Sequence, residues 1–87
     1  NRSWLADGTV PTDEVETLTG IDMGKNVETL AGFMLEHLGR IPKAGAIVIH
    51  ENARFEVVDM DGNRIDKVLI EIGPTGDKEV PDPAIPV

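Results

Sequence analysis

The run TLAGFMLEHLGRIP (residues 29–42) limits the fold more than any other part of the chain, because it writes a helix, its stop and the departure from it in one segment. Val27, Leu30, Ala31, Met34 and Leu38 recur at three- and four-residue steps, which places them on one stripe of an α-helix. Phe33 and Leu35 widen that stripe at its edges, while Glu28 and Glu36 fall on the opposite side. The helix starts between Asn26 and Thr29. Gly39 suits a left-handed C-cap, and Pro42 forbids continuation. Gly32 inside the helix costs about 1 kcal/mol against alanine in propensity. Either a neighbouring backbone approaches closely there or the cost is simply tolerated. An apolar stripe of this width needs a surface to cover, and the rest of the chain offers a sheet.

Ala46–His50, Arg54–Met60 and Arg64–Ile72 read as three strands rich in Ile and Val, parted by the turn signals Glu51-Asn52 and Asp61-Gly62. Two consecutive hairpins follow. In the last strand Val68, Ile70 and Ile72 alternate with Lys67, Leu69 and Glu71, the pattern of a sheet with one face on a core and one toward water. Upstream, Ser3–Ala6 begins a strand that bends at Asp7-Gly8, resumes at Thr9-Val10 and ends at Pro11. Thr12 or Asp13 then caps a short helix with a capping box from Asp13 to Glu16, and Gly20 stops it. Val15 and Leu18 are its inward residues. The expected fold is α+β, two short helices on a small, mainly antiparallel sheet, with Leu30, Met34, Leu38, Ile47, Phe55, Val57, Val68 and Ile70 in the core. Residues 1–72 form the domain. Residues 73–87 form a proline-rich tail in which Pro74, Pro81, Pro83 and Pro86 rule out regular structure, expected to be mobile unless Val80, Ile85 and Val87 pack on this domain or on a neighbouring molecule.

At 87 residues the chain suffices for one modest core. Its net charge of -8 repels phosphate backbones and anionic bilayers, so nucleic acid is not an expected partner, and no apolar run is long enough for direct membrane insertion. Cysteine is absent, which removes disulfides, thiolate metal sites and thiol nucleophiles. No catalytic residue is identified: the single serine, Ser3, stands in no nucleophile motif, and neither a P-loop nor a dinucleotide fingerprint occurs. His37, at the edge of the helical stripe, and His50, before a turn, are read as structural or solvated, with a joint site left open. Asp59 and Asp61 beside a turn, and Asp13, Glu14 and Glu16 at a helix start, are the candidates for loose metal binding. No cage comparable to a calcium loop surrounds them. No cofactor is expected.

Taken in order, the segments WLADG (residues 4–8), Val10-Pro11, DEV (13–15), Leu18, GID (20–22), TLAG and LGRIP within 29–42, RFEVVD (54–59) and DGNRI (61–65) resemble the transporter-associated domain that ends CorC- and HlyC-type proteins. The resemblance covers residues 3–72. It implies a non-catalytic accessory domain of a CorC-like, hemolysin-related membrane protein implicated in magnesium or cobalt efflux, held on the cytoplasmic side of the cell membrane. The implied partners are CBS and transmembrane domains of the same parent chain, with a homodimer as a further arrangement; on this view the chain, which starts at Asn1, is a fragment. The family's fold is also similar to part of the PCMH-type FAD-binding fold. That analogy carries no site with it, and a chain this acidic with one Trp and no Tyr is not expected to bind flavin. The alternative reading is a domain that senses a divalent cation or a nucleotide directly. Lys25-Asn26-Val27, the two histidines and the tail depart from the family pattern.

Overall fold

The computed structural model describes residues 2–73, so the expectations for the tail, including the packing of Val80, Ile85 and Val87, fall outside the described residues. Six elements follow in order: β1 (Arg2–Asp7), α1 (Thr12–Thr19), α2 (Leu30–Leu38), β2 (Ile47–His50), β3 (Ala53–Asp61) and β4 (Arg64–Ile72). The strands form one antiparallel sheet in the order β1-β4-β3-β2. Two hairpins build β2 to β4 as the turn signals predict, and the second turn is centred on Gly62 and Asn63, one residue later than expected. Gly62 has φ 62° there, and Asp61 pairs with Arg64. The fold is α+β, with both helices on one face of the sheet.

Strand alternation sets that face. Phe55 lies opposite Ile70 and Val48, Val57 opposite Val68, and Trp4 opposite Ile70. Against this row pack Val15 of α1 and Leu30, Phe33 and Met34 of α2, all fully buried. Two of the expected core positions, Ile47 and Leu38, are displaced, and two further expectations about the helices change. Ile47 is 42% exposed, since its neighbour Val48 takes the inward phase. Leu38 is only partly buried, Leu18 is 47% exposed, and Phe33 belongs to the centre of the stripe rather than its edge. Ile21 and Met23 enter the core from the loop between the helices.

The capping box of α1 does not form. Pro11 occupies the cap position without a side-chain bond, Thr12 turns inward to donate from its hydroxyl to the Val27 carbonyl at 3.1 Å, and a Glu16 carboxylate oxygen accepts from the Met23 N–H at 2.8 Å. At α2 the accounting is complete. The Leu30 N–H donates to Val10 O, the Ala31 N–H to Gly8 O, the Gly32 N–H to Thr29 Oγ1 and the Phe33 N–H to Thr29 O, so each of the first four helical donors has a partner. Thus the β1–α1 connection is not a free loop but the seat of the second helix. It passes so close to β4 that a Cβ on Gly8 would collide with the Ile65 carbonyl oxygen, while the Gly8 N–H donates to Asp66 O at 2.9 Å. The close backbone approach considered for Gly32 is therefore made at Gly8; a Cβ on Gly32 would meet only side-chain atoms, Thr29 Oγ1 at 3.3 Å and Val27 Cβ at 3.9 Å.

Candidate functional site

Two surfaces carry unusual chemistry. The first is an open cleft of about 360 Å³ where the C-terminal half of α2, the end of β2 and the inter-helix loop converge, lined by Asp22, Met23, Lys25, Glu36, His37 and His50, with Glu51 at its margin. Helical spacing puts His37 one turn after Phe33, and its Nδ1–H donates to the Phe33 carbonyl at 3.0 Å. His50 points to the same side of the sheet as Val48, and its Nε2–H donates to the Asp22 carbonyl at 2.7 Å. Because a carbonyl only accepts, both hydrogen bonds fix the donor nitrogen of each ring. Phe33 holds the pair together from below: its ring centroid is 4.3 Å from that of His37 and 5.2 Å from that of His50. The two imidazoles are 5.4 Å apart. At the mouth, Glu51 takes φ 56°, a region unfavourable for a residue with a Cβ, and sets a carboxylate oxygen 4.0 Å from His50 Nε2.

His37 and His50, read from the sequence as structural or solvated with a joint site left open, lie with their ring centroids 5.4 Å apart. What sequence reasoning missed is the loop: the Asp22 carbonyl that orients His50 is a main-chain group, and no side-chain pattern announces it. Asp59 and Asp61 lie at the far end of β3, both exposed. Asp59 sits at a register irregularity opposite Lys67, and Asp61 pairs with Arg64 at the turn. Asp13 and Glu14 are exposed on the first turn of α1, while Glu16 is engaged by the loop. Among the described residues no group of three or more His, Asp or Glu side chains is arranged to hold a metal ion.

The second surface is the sheet face turned away from the helices. Its cross-strand rows read Leu5, Leu69, Glu56, Ile47 and Ser3, Glu71, Arg54, Ile49. Leu5 is 62% and Ile49 66% exposed, with Ile47 and Val58 also open. Arg54 bridges Glu71 at 2.8 Å and Glu56 at 3.1 Å across this face, and Lys67 bridges Asp7 at 2.9 Å and Asp66 at 3.4 Å. These neighbours raise the Lys67 pKa above its ordinary value, the Asp7 hydrogen bond foremost and Asp66 next. No helix among the described residues is long and apolar enough to cross a membrane.

Comparison with known proteins places these surfaces in context. Residues 1–74 match the family described as "Transporter associated domain" (CorC_HlyC). A UPF0053 protein of Synechocystis is 47% identical over 73 residues, covering 78% of this chain and 16% of its own length. The polyamine export protein of Salmonella typhimurium is 43% identical over 72 residues, covering 79% of this chain and likewise 16% of its own. This chain therefore spans about a sixth of the curated relatives it matches. Among solved structures, the CorC_HlyC domain of a Xylella fastidiosa hemolysin, in complex with magnesium and manganese, is 41% identical, with a TM-score of 0.74 over 80% of this chain and 86% of that one.

Proposed function

Since the chain belongs to the CorC_HlyC transporter-associated domain family, we propose that it is a non-catalytic docking domain of a larger membrane protein that moves cationic cargo outward, with residues 1–72 as the folded unit and 73–87 as a separate tail. The observation that carries this reading is the outward sheet face. Leu5 on β1 and Ile47 and Ile49 on β2 stand exposed at the two edges of the sheet, on either side of ion pairs carried by β3 and β4, and exposed apolar area of this kind suits cover by a partner whose polar groups meet the charged middle. The occupant is the remainder of the parent protein, because most of the length of each curated relative lies outside the matched region. CBS domains on the cytoplasmic side of the membrane are the partner this reading favours. Docking that differs between two states of the transporter would bias its equilibrium, which requires contacts made in one state and lost in the other.

Divalent-cation efflux, of magnesium or cobalt, is the cargo implied by the family resemblance. Polyamine export is the activity named for the Salmonella relative. Both cargoes are cationic, and the docking role serves either. A second reading, direct cation sensing, is favoured by the Xylella domain's complex with magnesium and manganese. One experiment separates the two. In the full-length parent, Leu5→Asp with Ile49→Asp should abolish export while the isolated domain keeps its melting temperature; unchanged export sinks the docking role. If instead Asp59→Asn alone abolishes export and removes a saturable magnesium site, the sensor reading replaces it.

A further inference from the structure

The cleft between α2 and β2 holds a pair of imidazoles that neither catalysis nor docking explains. Two rings bound to one tetrahedral ion, at metal–nitrogen distances of about 2.0–2.1 Å, place their centroids about 5 Å apart. His37 and His50 are 5.4 Å apart with planes at 70°. Each ring also has the supporting bond typical of a metal-ligating histidine, in which one N–H is given to a carbonyl and the other nitrogen keeps its lone pair. His37 donates from Nδ1 to Phe33 O and retains Nε2; His50 donates from Nε2 to Asp22 O and retains Nδ1.

From this we infer that His37 and His50 form a binding site for a late first-row divalent cation of the zinc or nickel type. Neutral imidazole suits these ions, whereas magnesium prefers hard oxygen ligands and gives up its water reluctantly. Two nitrogens come from the protein. Glu36, Glu51 and Asp22 line the same cleft and supply carboxylates around it. Since no third protein group is already in position among the described residues, water completes the coordination and the site is open rather than closed. The ion joins α2 to the end of β2, and the loop at residues 20–26 is tied to it only indirectly, through the His50–Asp22 bond.

The test is calorimetric titration of the purified 87-residue chain with zinc chloride in a non-coordinating buffer, followed by the same titration of His37→Gln and His50→Gln. One ion per chain is expected, with an affinity unaffected by a large excess of magnesium and weakened at least tenfold by either substitution. Proton NMR of the unaltered chain provides a measurement independent of the variants' folding: both imidazole spin systems should shift or broaden together during titration. No saturable heat, binding at one ion per two chains, equal affinity in both variants, or imidazole signals indifferent to zinc would each overturn the site. None of these outcomes bears on docking through the outward sheet face.

Discussion

The two faces of the sheet come from alternate residues of the same strands, yet they meet different surroundings. On the inner face Phe55, Val57, Val68 and Ile70 lie under Leu30, Phe33 and Met34 with almost no exposed surface. On the outer face the intervening positions carry exposed Leu5, Ile47 and Ile49 beside Arg54, Glu56, Glu71 and Lys67. Burial at about 25 cal/mol per Å² makes the first face the source of stability, and exposed ion pairs worth about 0–1 kcal/mol make the second nearly neutral. One face can therefore hold the fold while the other stays free for the proposed docking, without the same residue serving both.

The largest effect should come from breaking the inner face. Phe55→Ala empties a site touching both Phe33 and the row formed by Val48 and Ile70. Its expected cost is about 3–5 kcal/mol, the range for buried aromatic truncations. Urea unfolding measures it, and a loss under about 1 kcal/mol would mean that the face is not packed as described. Leu38→Ala, at a partly buried position, should cost less.

Next comes the segment that joins the faces. Gly8 runs between the start of α2 and β4, accepting from the Ala31 N–H and donating to Asp66 O. Gly8→Ala pushes a methyl group into the Ile65 carbonyl, and the backbone must move to admit it. A destabilisation of about 1–3 kcal/mol is expected, as for overpacking elsewhere. Hydrogen exchange should show the amides of Leu30 and Ala31 losing protection first. If Gly8→Ala melts with the unaltered chain, the seat of α2 is looser than these bonds imply.

How much of this was legible in the sequence depends on whether a segment carries its own phase. β4 alternates apolar and polar residues, so its ends and its inward set could be read directly. β2, with the sequence IVIH, is nearly all apolar and has no phase of its own. The pairing of Val48 with Phe55 decides which residues turn in, and that long-range fact put Ile47 outside. The helix stop at Gly39 was visible for the same reason that the cap of α1 was not. A left-handed glycine is a local requirement, whereas Thr12 and Glu16 leave their expected local partners for Val27 O and the Met23 N–H, distant in sequence. Ile21 and Met23 were missed because a loop has no period to betray burial. The candidate site suffered likewise: each histidine was noticed, but their meeting over Phe33 depends on how α2 lies on the sheet.

The smallest effect tests whether the outer face is as neutral as the contrast requires. Lys67 reaches Asp7 and Asp66 and lies in register with Asp59, while its side chain remains 38% exposed. Its partners hold its pKa above the ordinary 10.5, the Asp7 hydrogen bond contributing most. A folded-state pKa raised above the unfolded one means that the folded state binds its proton more tightly. The associated stability is thus fully present below the unfolded value and disappears as pH rises through the folded one. Unfolding midpoints for the native chain and Lys67→Met should differ slightly near neutral pH, and the gap should close on the alkaline side of 10.5 and in high salt. A difference that persists in strong alkali would assign the effect to the packing of the lysine's methylene stem rather than to its charge. The outer face would then contribute apolar burial of its own, and the division between a folding face and a recognition face would narrow.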